Sequence, residues 1–483
     1  MTIESNYKWN SGNPDLLSDE FKMSIFTNDL FVKEGEKRKM EANLYQEIRK
    51  ELGEMTIIDS HSHIAPEAAW KTMPIDFMSL LDYSSCDIVS AGLPRDEWVT
   101  GVAADSRMRF DYGYDYKPDL RTPAEKWNAI KKYWPFVKNI GSGYLVQKAL
   151  QMYCGETDLN DSNIEKIGEI LDQYRKDNSY EDILVKKAKI KTVMGVTMDI
   201  NENPTTDIIK QQLYIDIYTG IQNRRQVYNL EQLSGQHIYN LKSYLHALDL
   251  LVEKQVKQGI VALKWHFFSY MRPFNFEIAD PFEAEKALNK ILQLPLRGAT
   301  GSAVSVGFEE MKPLHNYLQH YMIEKAIEYH LPIQIHTGTF GGTLGSHIEY
   351  SNPTLLIDIF KKYPDVDFNI LHSSFPYQRE AAEIARMFPN VYVNAAWEDT
   401  LSPMAFKDNM KEWITYIPNN KIFAFGSDQF SAYLTYASAE NTRDLLAEVF
   451  TELVEEKRMT QDEALWTAKR ILCDNVSDYY KLD

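Results

Sequence analysis

Short apolar runs alternate with amphipathic stretches over most of this chain. The runs are MTII at residues 55–58 and then IKTVMGVTMDI, GIVALKWHFF, LPIQIHTG, VDFNILHSS, VYVNAAW and KIFAFGSD, with a weaker run near LYIDIYTG. The stretches between them carry apolar residues at helical spacing, as in 237–259, 311–330 and 378–389. This alternation predicts parallel strands that are joined by crossover helices.

The number of predicted strands narrows the fold. With the weak run included there are about eight, which is the number in a (β/α)8 TIM barrel. A doubly wound open sheet is the alternative, and it is disfavoured because no glycine-rich phosphate loop follows an early strand. We therefore predict an α/β chain with a TIM barrel.

A long segment between the first two strands departs from a plain barrel. Residues 64–188 show helical spacing and no clear strand, so we interpret them as a helical insertion after strand one. Its tryptophans and tyrosines suit burial over the barrel mouth or against a partner subunit, so a homo-oligomer is one expectation. The predicted layout is one domain over 1–483, with an N-terminal lead at 1–54 that is helical from about 29 to 52, and with the barrel in 55–63 and about 189–483.

Composition restricts the partners. The chain has 483 residues, of which 44% are hydrophobic and 25% are charged, as is typical of globular proteins. Its formal net charge of −17 argues against nucleic acid or an anionic membrane as a partner. With no leader sequence and no bilayer-spanning run in view, the expected location is the cytoplasm. Cys86, Cys154 and Cys473 fit neither a disulfide framework nor a zinc finger, and we expect them to pack as small apolar residues.

The first apolar run ends in the signature Asp-x-His-x-His, formed by Asp59, His61 and His63. Side chains two residues apart on a strand point the same way, so both imidazoles project together from its C-terminal end. Two neutral imidazoles side by side form half of a tetrahedral zinc site. The alternative is a pair of polar residues at the start of a surface loop, so a metal site requires further ligands elsewhere in the chain.

Residues of the missing type stand at the ends of later strands. In a barrel these ends meet at one face, where active sites lie. The run LPIQIHTG ends with His336, VDFNILHSS with His372 and KIFAFGSD with Asp428. Lys264 and His266 lie near the end of GIVALKWHFF. Five ligand-type residues thus fall at equivalent points of four strands, namely His61, His63, His336, His372 and Asp428. This predicts a metal centre at the mouth of the barrel.

These motifs resemble the amidohydrolase superfamily. The segments IHTG, LHSSFPYQREAAEIARMFPNVYVNAAW and FGSDQF look similar to its amidohydrolase-2 branch, which includes nodulin/FluG-type members. The insertion after strand one and the lead before MTIIDSHSH also resemble uronate isomerases of the same superfamily. The resemblance covers roughly 55–63 and 190–483.

The resemblance implies roles for individual residues. His61, His63 and Asp428 match the ligands of the more buried metal. His336 matches a ligand of that metal or of a second one, and His372 matches a residue that holds the second metal or the attacking water. Lys264 stands where binuclear members carry a carboxylated lysine. The alternative for Lys264 is a cationic contact with the substrate, so the metal count stays at one or two.

Elementary chemistry agrees with these roles. Zinc takes imidazole and carboxylate ligands, and a bound divalent metal lowers the pKa of water and polarises a carbonyl. Asp428 is then placed to accept a proton from the water and to pass it to the leaving group. Asp59 is expected to orient a ligand. Arg272, Tyr377 and Arg379 are the expected substrate contacts, with a loop salt bridge as the alternative for the first.

We therefore predict a metal-dependent hydrolase that binds Zn²⁺ and a small-molecule substrate. It would cleave an amide, lactone or related bond of a small carboxylate-bearing molecule through metal-activated water. One alternative is a metal-assisted isomerase of uronates, which are sugar acids. A catalytically silent metal-binding protein is an alternative from another class.

Overall fold

The structure is a computed structural model that describes residues 43–94, 97, 119–197, 201, 204–266, 272–296, 298, 303–341 and 347–482. The helix predicted at about 29–52 of the N-terminal lead lies only partly within the described residues, which begin at residue 43. Helix α1 is described over residues 43–54. Residues 95, 96 and 98–118 of the predicted insertion also lie outside them.

Eight parallel strands form one sheet in the order β1 to β8, and each pairs with the next along the chain. The strands are β1 (Ile57–Asp59), β2 (Ile190–Thr197), β3 (Ile209–Tyr214), β4 (Ala262–Trp265), β5 (Ile333–Ile335), β6 (Phe368–Ile370), β7 (Val391–Asn394) and β8 (Ile422–Phe423). Nearly every strand residue is buried, as expected for strands that face the barrel interior on one side and helices on the other. The prediction of a (β/α)8 fold is confirmed.

The two edge strands of the sheet meet just beyond their ends. The Ser60 backbone N–H donates to the Phe425 carbonyl oxygen at 3.1 Å, and the Asp428 N–H donates to the His61 carbonyl oxygen at 2.8 Å. The His63 N–H donates to the Gln429 carbonyl oxygen at 3.0 Å. These bonds join the segments that follow β1 and β8, and they bring the metal-ligand candidates of both strands together.

The third strand lies earlier in the sequence than its predicted position near LYIDIYTG. It consists of IKQQLY, and residues Asp216–Thr219 of the predicted run form a short helix. Both Gln211 and Gln212 are fully buried in the strand. The adjacent side-chain amides of Gln211 and Gln212 interrupt the apolar pattern that indicates a buried strand. The sequence pattern therefore predicted the strand at the next apolar residues.

Helices of the insertion precede β2. They are α2 (Glu67–Trp70), α3 (Ser84–Ser90), α4 (Pro123–Ile130), α5 (Trp134–Val137), α6 (Gly141–Cys154) and α7 (Ile164–Asp177), with a π-helical segment at Glu181–Lys187. The indole N–H groups of Trp127 and Trp134 donate to Asp161 and Asp158. Both rings are buried, and packing of this segment over the barrel mouth or against a partner subunit stays a prediction.

The other helices surround the sheet. They are α8 (Asp216–Thr219), α9 (Arg224–Ser234), α10 (Leu241–Lys257), α11 (Pro281–Leu292), α12 (Phe308–Tyr329), α13 (Ile357–Lys362), α14 (Gln378–Met387), α15 (Glu398–Leu401), α16 (Pro403–Tyr416), α17 (Ala432–Glu455), α18 (Gln461–Lys469) and α19 (Asn475–Tyr480). Among the described residues, no helix combines the length and the apolar character that crossing a membrane requires.

Helix α17 connects the insertion with the barrel. The Tyr433 hydroxyl donates to the Leu171 carbonyl oxygen at 2.7 Å, and the Tyr153 hydroxyl donates to the Tyr433 carbonyl oxygen at 3.2 Å. One hydrophobic core runs through both parts. The insertion is therefore packed onto the barrel and has a fixed position relative to the strand ends.

Arg443 on α17 holds the start of the barrel together. Its buried guanidinium donates to the carbonyl oxygens of Leu52 at 3.0 Å, Met55 at 3.3 Å and Ala188 at 2.8 Å. It also pairs with Glu440 at 2.8 Å. One side chain thus links the end of α1 with the segments that lead into β1 and β2.

We predict that Arg443→Met lowers the free energy of unfolding by about 3–5 kcal/mol, because it leaves buried carbonyl groups without donors. Urea denaturation followed by circular dichroism measures this change. Arg386→Met is the matched control, since Arg386 pairs with Glu383 at the surface and the midpoint should hardly move. Equal losses in both variants would contradict the linking role of Arg443.

Candidate functional site

The predicted ligands gather at the C-terminal ends of the barrel strands. His61 and His63 follow β1, Lys264 lies in β4, His336 follows β5, His372 follows β6 and Asp428 follows β8. All of them except His63, which is partly buried, are classed as buried. This is the face of the barrel where catalytic groups of TIM-barrel enzymes lie.

One carboxylate is at the centre of the group. Asp428 Oδ1 lies 3.1 Å from His61 Nε2 and 2.9 Å from His63 Nε2. Asp428 Oδ2 lies 3.9 Å from His372 Nδ1. Donor atoms of His61, His372 and Asp428 lie within 4.8 Å of one another, which makes these three a buried group that could hold a metal ion.

His336 joins this group through His372. Its Nδ1 lies 3.0 Å from His372 Nε2, and its ring stacks on Phe340 at 3.9 Å between centroids. On the far side of each ring is a backbone carbonyl oxygen: Thr339 O lies 2.8 Å from His336 Nε2, and Ala396 O lies 3.0 Å from His372 Nδ1.

These contacts define the protonation of both rings. A carbonyl oxygen can only accept, so His336 Nε2 and His372 Nδ1 carry the ring protons. Burial lowers the pKa of His336 well below its ordinary value and that of His372 to about 4, so both rings are neutral at pH 7. His336 Nδ1 and His372 Nε2 therefore face each other with two lone pairs. A metal cation is the kind of partner that satisfies such a pair.

The remaining ligands also have the charge states that metal binding requires. Burial lowers the pKa of His61, and nearby Lys264 lowers it further. Burial alone would raise the pKa of Asp428, but its histidine neighbours, His61 first, bring it well below the ordinary value. Neither ring nitrogen of His61 has a hydrogen-bond partner of good geometry among the described residues, and Asp428 Oδ1 has none either. Neutral imidazoles and an ionised carboxylate with unused lone pairs fit a divalent metal.

The backbone is unusual where two of these residues sit. His372 has φ 60° and Asp428 has φ 55°, both in the left-handed region that non-glycine residues rarely adopt. Such conformations persist only where the surroundings impose them, and they concentrate at functional sites.

Asp59 helps to impose this geometry. Its fully buried carboxylate accepts from the Ser427 N–H at 2.9 Å, the Ser427 hydroxyl at 2.5 Å and the His61 N–H at 3.2 Å. These bonds hold the backbone beside His61 and Asp428, and none of them reaches an imidazole ring, so the orienting role of Asp59 stays a prediction. We call this set of contacts the Asp59–Ser427 bridge.

Sequence reasoning missed three aromatic residues of the site. The Tyr83 hydroxyl donates to Asp428 Oδ2 at 2.8 Å, and Trp397 packs on the Tyr83 ring at 4.5 Å. Phe430 stacks on His63 with 4.8 Å between ring centroids. Tyr83 comes from the insertion, where no spacing rule connects it to the strand ends. The positions of Trp397 and Phe430, just after β7 and β8, were the available signal.

Lys264 and His266 extend the site toward β4. The Lys264 amine is fully buried and has no hydrogen-bond partner among the described residues, and burial lowers its pKa to about 7. The backbone N–H of His266 donates to the Asp216 carboxylate at 2.6 Å. The ring Nδ1 of His266 lies 3.3 Å from the Tyr214 hydroxyl oxygen.

The three expected substrate-binding residues are Arg272, Tyr377 and Arg379. None of the interactions given below joins them to the candidate metal ligands. Arg272 donates to the carbonyl oxygens of its own loop and lies over the rings of Phe276 and Phe308. Tyr377 is half-buried, and its N–H donates to the Ser374 carbonyl oxygen.

Arg379 lies away from this group in the described contacts. Its side chain is 83% exposed and pairs with Glu412 on α16 at 3.1 Å. It lies on an outward-facing side of α14, although the start of that helix follows strand six. Its role as a substrate contact stays a prediction.

A cavity of about 410 Å³ adjoins the site between the insertion and the barrel. Its walls include Trp70, Met78, Arg175, Tyr433 and Phe430. Phe430 thus lines this cavity, and its ring also stacks on His63. Charged residues line the cavity as well, among them Asp82, Asp119 and Lys126. A cavity of this volume with both apolar and polar walls is large enough for a small molecule.

Known proteins resemble this chain in sequence and in fold. Residues 261–457 match the amidohydrolase family. Protein fluG of Emericella nidulans is 28% identical over 208 residues, which cover 41% of this chain and 24% of that protein. The match therefore spans about a quarter of that relative's own length.

Solved structures extend the likeness to the whole barrel. A uronate isomerase from Thermotoga maritima gives a TM-score of 0.71 at 16% identity, over 91% of this chain and 97% of that one. Glucuronate isomerase from Caulobacter crescentus gives 0.69 at 17%, over 92% and 95%. A candidate metal-dependent hydrolase from Lactobacillus casei gives 0.59 at 15%, over 90% and 97%. At these identities the structures support the fold, and with the family match they confirm the resemblance to the amidohydrolase superfamily.

We predict that Asp59→Ala weakens Zn²⁺ binding about tenfold or more, because the segments that carry His61 and Asp428 lose their common acceptor. Titration against a chromophoric chelator measures the affinity. Asp59→Asn keeps an acceptor oxygen for the backbone N–H groups and should lose less. Wild-type affinity in Asp59→Ala would show that the Asp59–Ser427 bridge does not set the ligand geometry.

Proposed function

We propose that this amidohydrolase-like chain is a metal-dependent hydrolase that cleaves an amide, lactone or related bond of a small carboxylate-bearing molecule. One observation carries the proposal: the His61 ring nitrogens, which have no hydrogen-bond partner of good geometry among the described residues, converge with His372 and Asp428 in a buried group beside a cavity. Buried polar atoms are normally paired, so such a convergence is typical of a ligand or metal site.

The metal would be held by His61, His63 and Asp428, with His336 or His372 completing the set. Zinc suits this mixture of imidazole and carboxylate donors. When bound, a divalent metal activates water for attack and polarises the carbonyl that is attacked. A second ion is compatible with the convergent nitrogens of His336 and His372.

Asp428 acts as the proton carrier of the hydrolytic reaction. It is ionised at neutral pH because its histidine neighbours hold its pKa low, so it can accept a proton from the attacking water. The Tyr83 hydroxyl donates to Oδ2 and fixes the orientation of the carboxylate. Asp428 then returns the proton to the leaving group, and the oxygen of the water stays in the new carboxylate product.

Lys264 is the candidate for positive charge at the site. Burial lowers the pKa of its amine to about 7, while the charges of Asp428 and Asp216 favour its protonated form. A protonated Lys264 would bind the carboxylate of the substrate or the oxyanion that develops during attack. The cavity behind Phe430 would receive the rest of the molecule.

A uronate isomerase is the second candidate, and two observations favour it. Structures of uronate isomerases align with more than 90% of this chain, which includes the insertion. In addition, Tyr83 and Asp428 form a pair of proton-carrying groups 2.8 Å apart. Isomerisation of an open-chain sugar acid moves a proton between neighbouring carbons, and such a pair is suited to remove and return it.

We predict that the double variant His61→Ala/His63→Ala loses its bound divalent metal and stays folded. Plasma mass spectrometry of the purified protein measures metal content, and circular dichroism reports the fold. The matched control is His237→Ala/His347→Ala, which removes two exposed histidines and should retain the metal. Full metal retention in the first variant would exclude the proposed ligand set.

Isotope labelling separates the two candidate reactions. In ¹⁸O water, a hydrolase places label in the carboxylate that forms from an amide or lactone of the test panel, and Asp428→Asn should abolish this labelling. The proposal of a hydrolase fails if uronates interconvert while no member of the panel is labelled. Metal binding without either reaction would favour the catalytically silent alternative.

A further inference from the structure

Three consecutive residues after β6 adopt a left-handed backbone. His372, Ser373 and Ser374 have φ values of 60°, 50° and 53°, and all three are fully buried. Residues other than glycine disfavour this backbone conformation, so contacts from outside the segment must hold it in place. We call residues 372–374 the β6 turn.

Glu398 at the start of α15 holds the middle of the β6 turn. The Ser373 hydroxyl donates to Glu398 Oε2, and the Asn409 amide donates to the same oxygen at 2.9 Å. The Asn409 amide also donates to Ser373 Oγ at 2.9 Å, which closes a three-membered network. The Gln378 amide donates to Glu398 Oε1 at 3.2 Å.

The polar partners of Glu398 in this network are neutral. Its carboxylate is fully buried, and its bonds come from a hydroxyl and two amides. Burying a carboxylate among neutral donors is unfavourable compared with an apolar side chain of similar size. Stability alone therefore does not account for an acid at this position. The acid instead provides a common acceptor for three donors, which lie in the β6 turn, α14 and α16.

The residues between β7 and α15 also contact the His372 ring. Ala396 accepts the His372 Nδ1–H at 3.0 Å, and the Trp397 ring packs edge-on against the imidazole at 5.7 Å. The Trp397 N–H donates to the Gly426 carbonyl oxygen at 2.8 Å, two residues before Asp428. Residues 396–398 thus connect the ring of His372, its backbone turn and the segment that carries Asp428.

We propose that Glu398 is a positioning residue that holds the β6 turn and thereby aims the His372 imidazole at the metal ligands. This role rests on the proposed metal site. It assigns to the end of β7 a function that sequence reasoning did not find, because Glu398 contacts neither a metal ligand side chain nor the cavity. Loss of the carboxylate should loosen the turn and misalign His372 Nε2.

Zn²⁺ titration and the visible absorption of the Co²⁺-loaded protein test the proposal. Glu398→Ala should weaken Zn²⁺ binding about tenfold to a hundredfold and change the Co²⁺ absorption bands. Glu398→Gln keeps an oxygen that accepts from Ser373 and should restore most of both properties. Ser373→Ala removes the other partner of the bond and should reproduce the change, which keeps the test valid if Glu398→Ala does not fold.

Asp399→Asn is the matched control. Asp399 is the neighbouring buried carboxylate, but its partners Ser438 and Asn441 lie on α17 and do not contact the β6 turn. This variant should keep the wild-type Zn²⁺ affinity and Co²⁺ spectrum. Equal changes in Asp399→Asn and Glu398→Ala, or wild-type behaviour of Glu398→Ala and Ser373→Ala, would overturn the proposal.

The metal-free protein gives an independent readout. The ¹⁵N-correlated NMR signal of the His372 Nδ1–H should be protected from exchange because it donates to Ala396. It should shift or exchange faster in Glu398→Ala and stay unchanged in Asp399→Asn. Failure of the wild type to bind Zn²⁺ would contradict the proposed function, whereas an unchanged ring signal in Glu398→Ala would contradict the positioning role.

Discussion

The closure of the barrel depends on hydrogen bonds between the segments that follow its first and last strands. Strand β8 contains only Ile422–Phe423, so regular strand pairing cannot hold it against β1 over any length. Backbone hydrogen bonds beyond the strand ends replace that pairing. The Asp59 carboxylate adds to them by accepting from the N–H and hydroxyl of Ser427 and from the His61 N–H. Because His61 and Asp428 lie in the joined segments, closing the barrel and bringing the ligands together are one structural event.

The site is built on backbone conformations that a helix or strand would not provide. His372, Trp397 and Asp428 follow β6, β7 and β8, and each has a positive φ. Each such residue costs on the order of 1–3 kcal/mol, which the packed and hydrogen-bonded surroundings must offset. The rigid strands deliver the chain to the mouth of the barrel, and the left-handed residues then turn the side chains toward a common point.

Local patterns in the sequence were sufficient for all strands except β3 and for the residues at their ends. Asp428 could be placed because it directly follows an apolar run, and strand ends meet at one face of a barrel. The position of β3 was wrong because the buried Gln211 and Gln212 do not look like a strand interior. Tyr83 could not be found, since its contact with Asp428 spans 345 positions and depends on how the insertion packs. Arg379 shows the converse limit: a residue near a strand end can face outward once a helix begins.

The pair formed by His336 and His372 connects the burial of the site with the metal binding that we propose. Each ring donates one N–H to a backbone carbonyl oxygen, so its other nitrogen is left as an acceptor. In water these acceptors would be hydrated, and an acidic solution would protonate them. Burial removes the water and lowers both pKa values, so neither hydration nor a proton satisfies the nitrogens at neutral pH. Their 3.0 Å approach is then unfavourable unless a cation is shared between them or bound beside them. The packing around the rings therefore favours a cation over water or a proton between them, which is the condition that the proposed metal site requires.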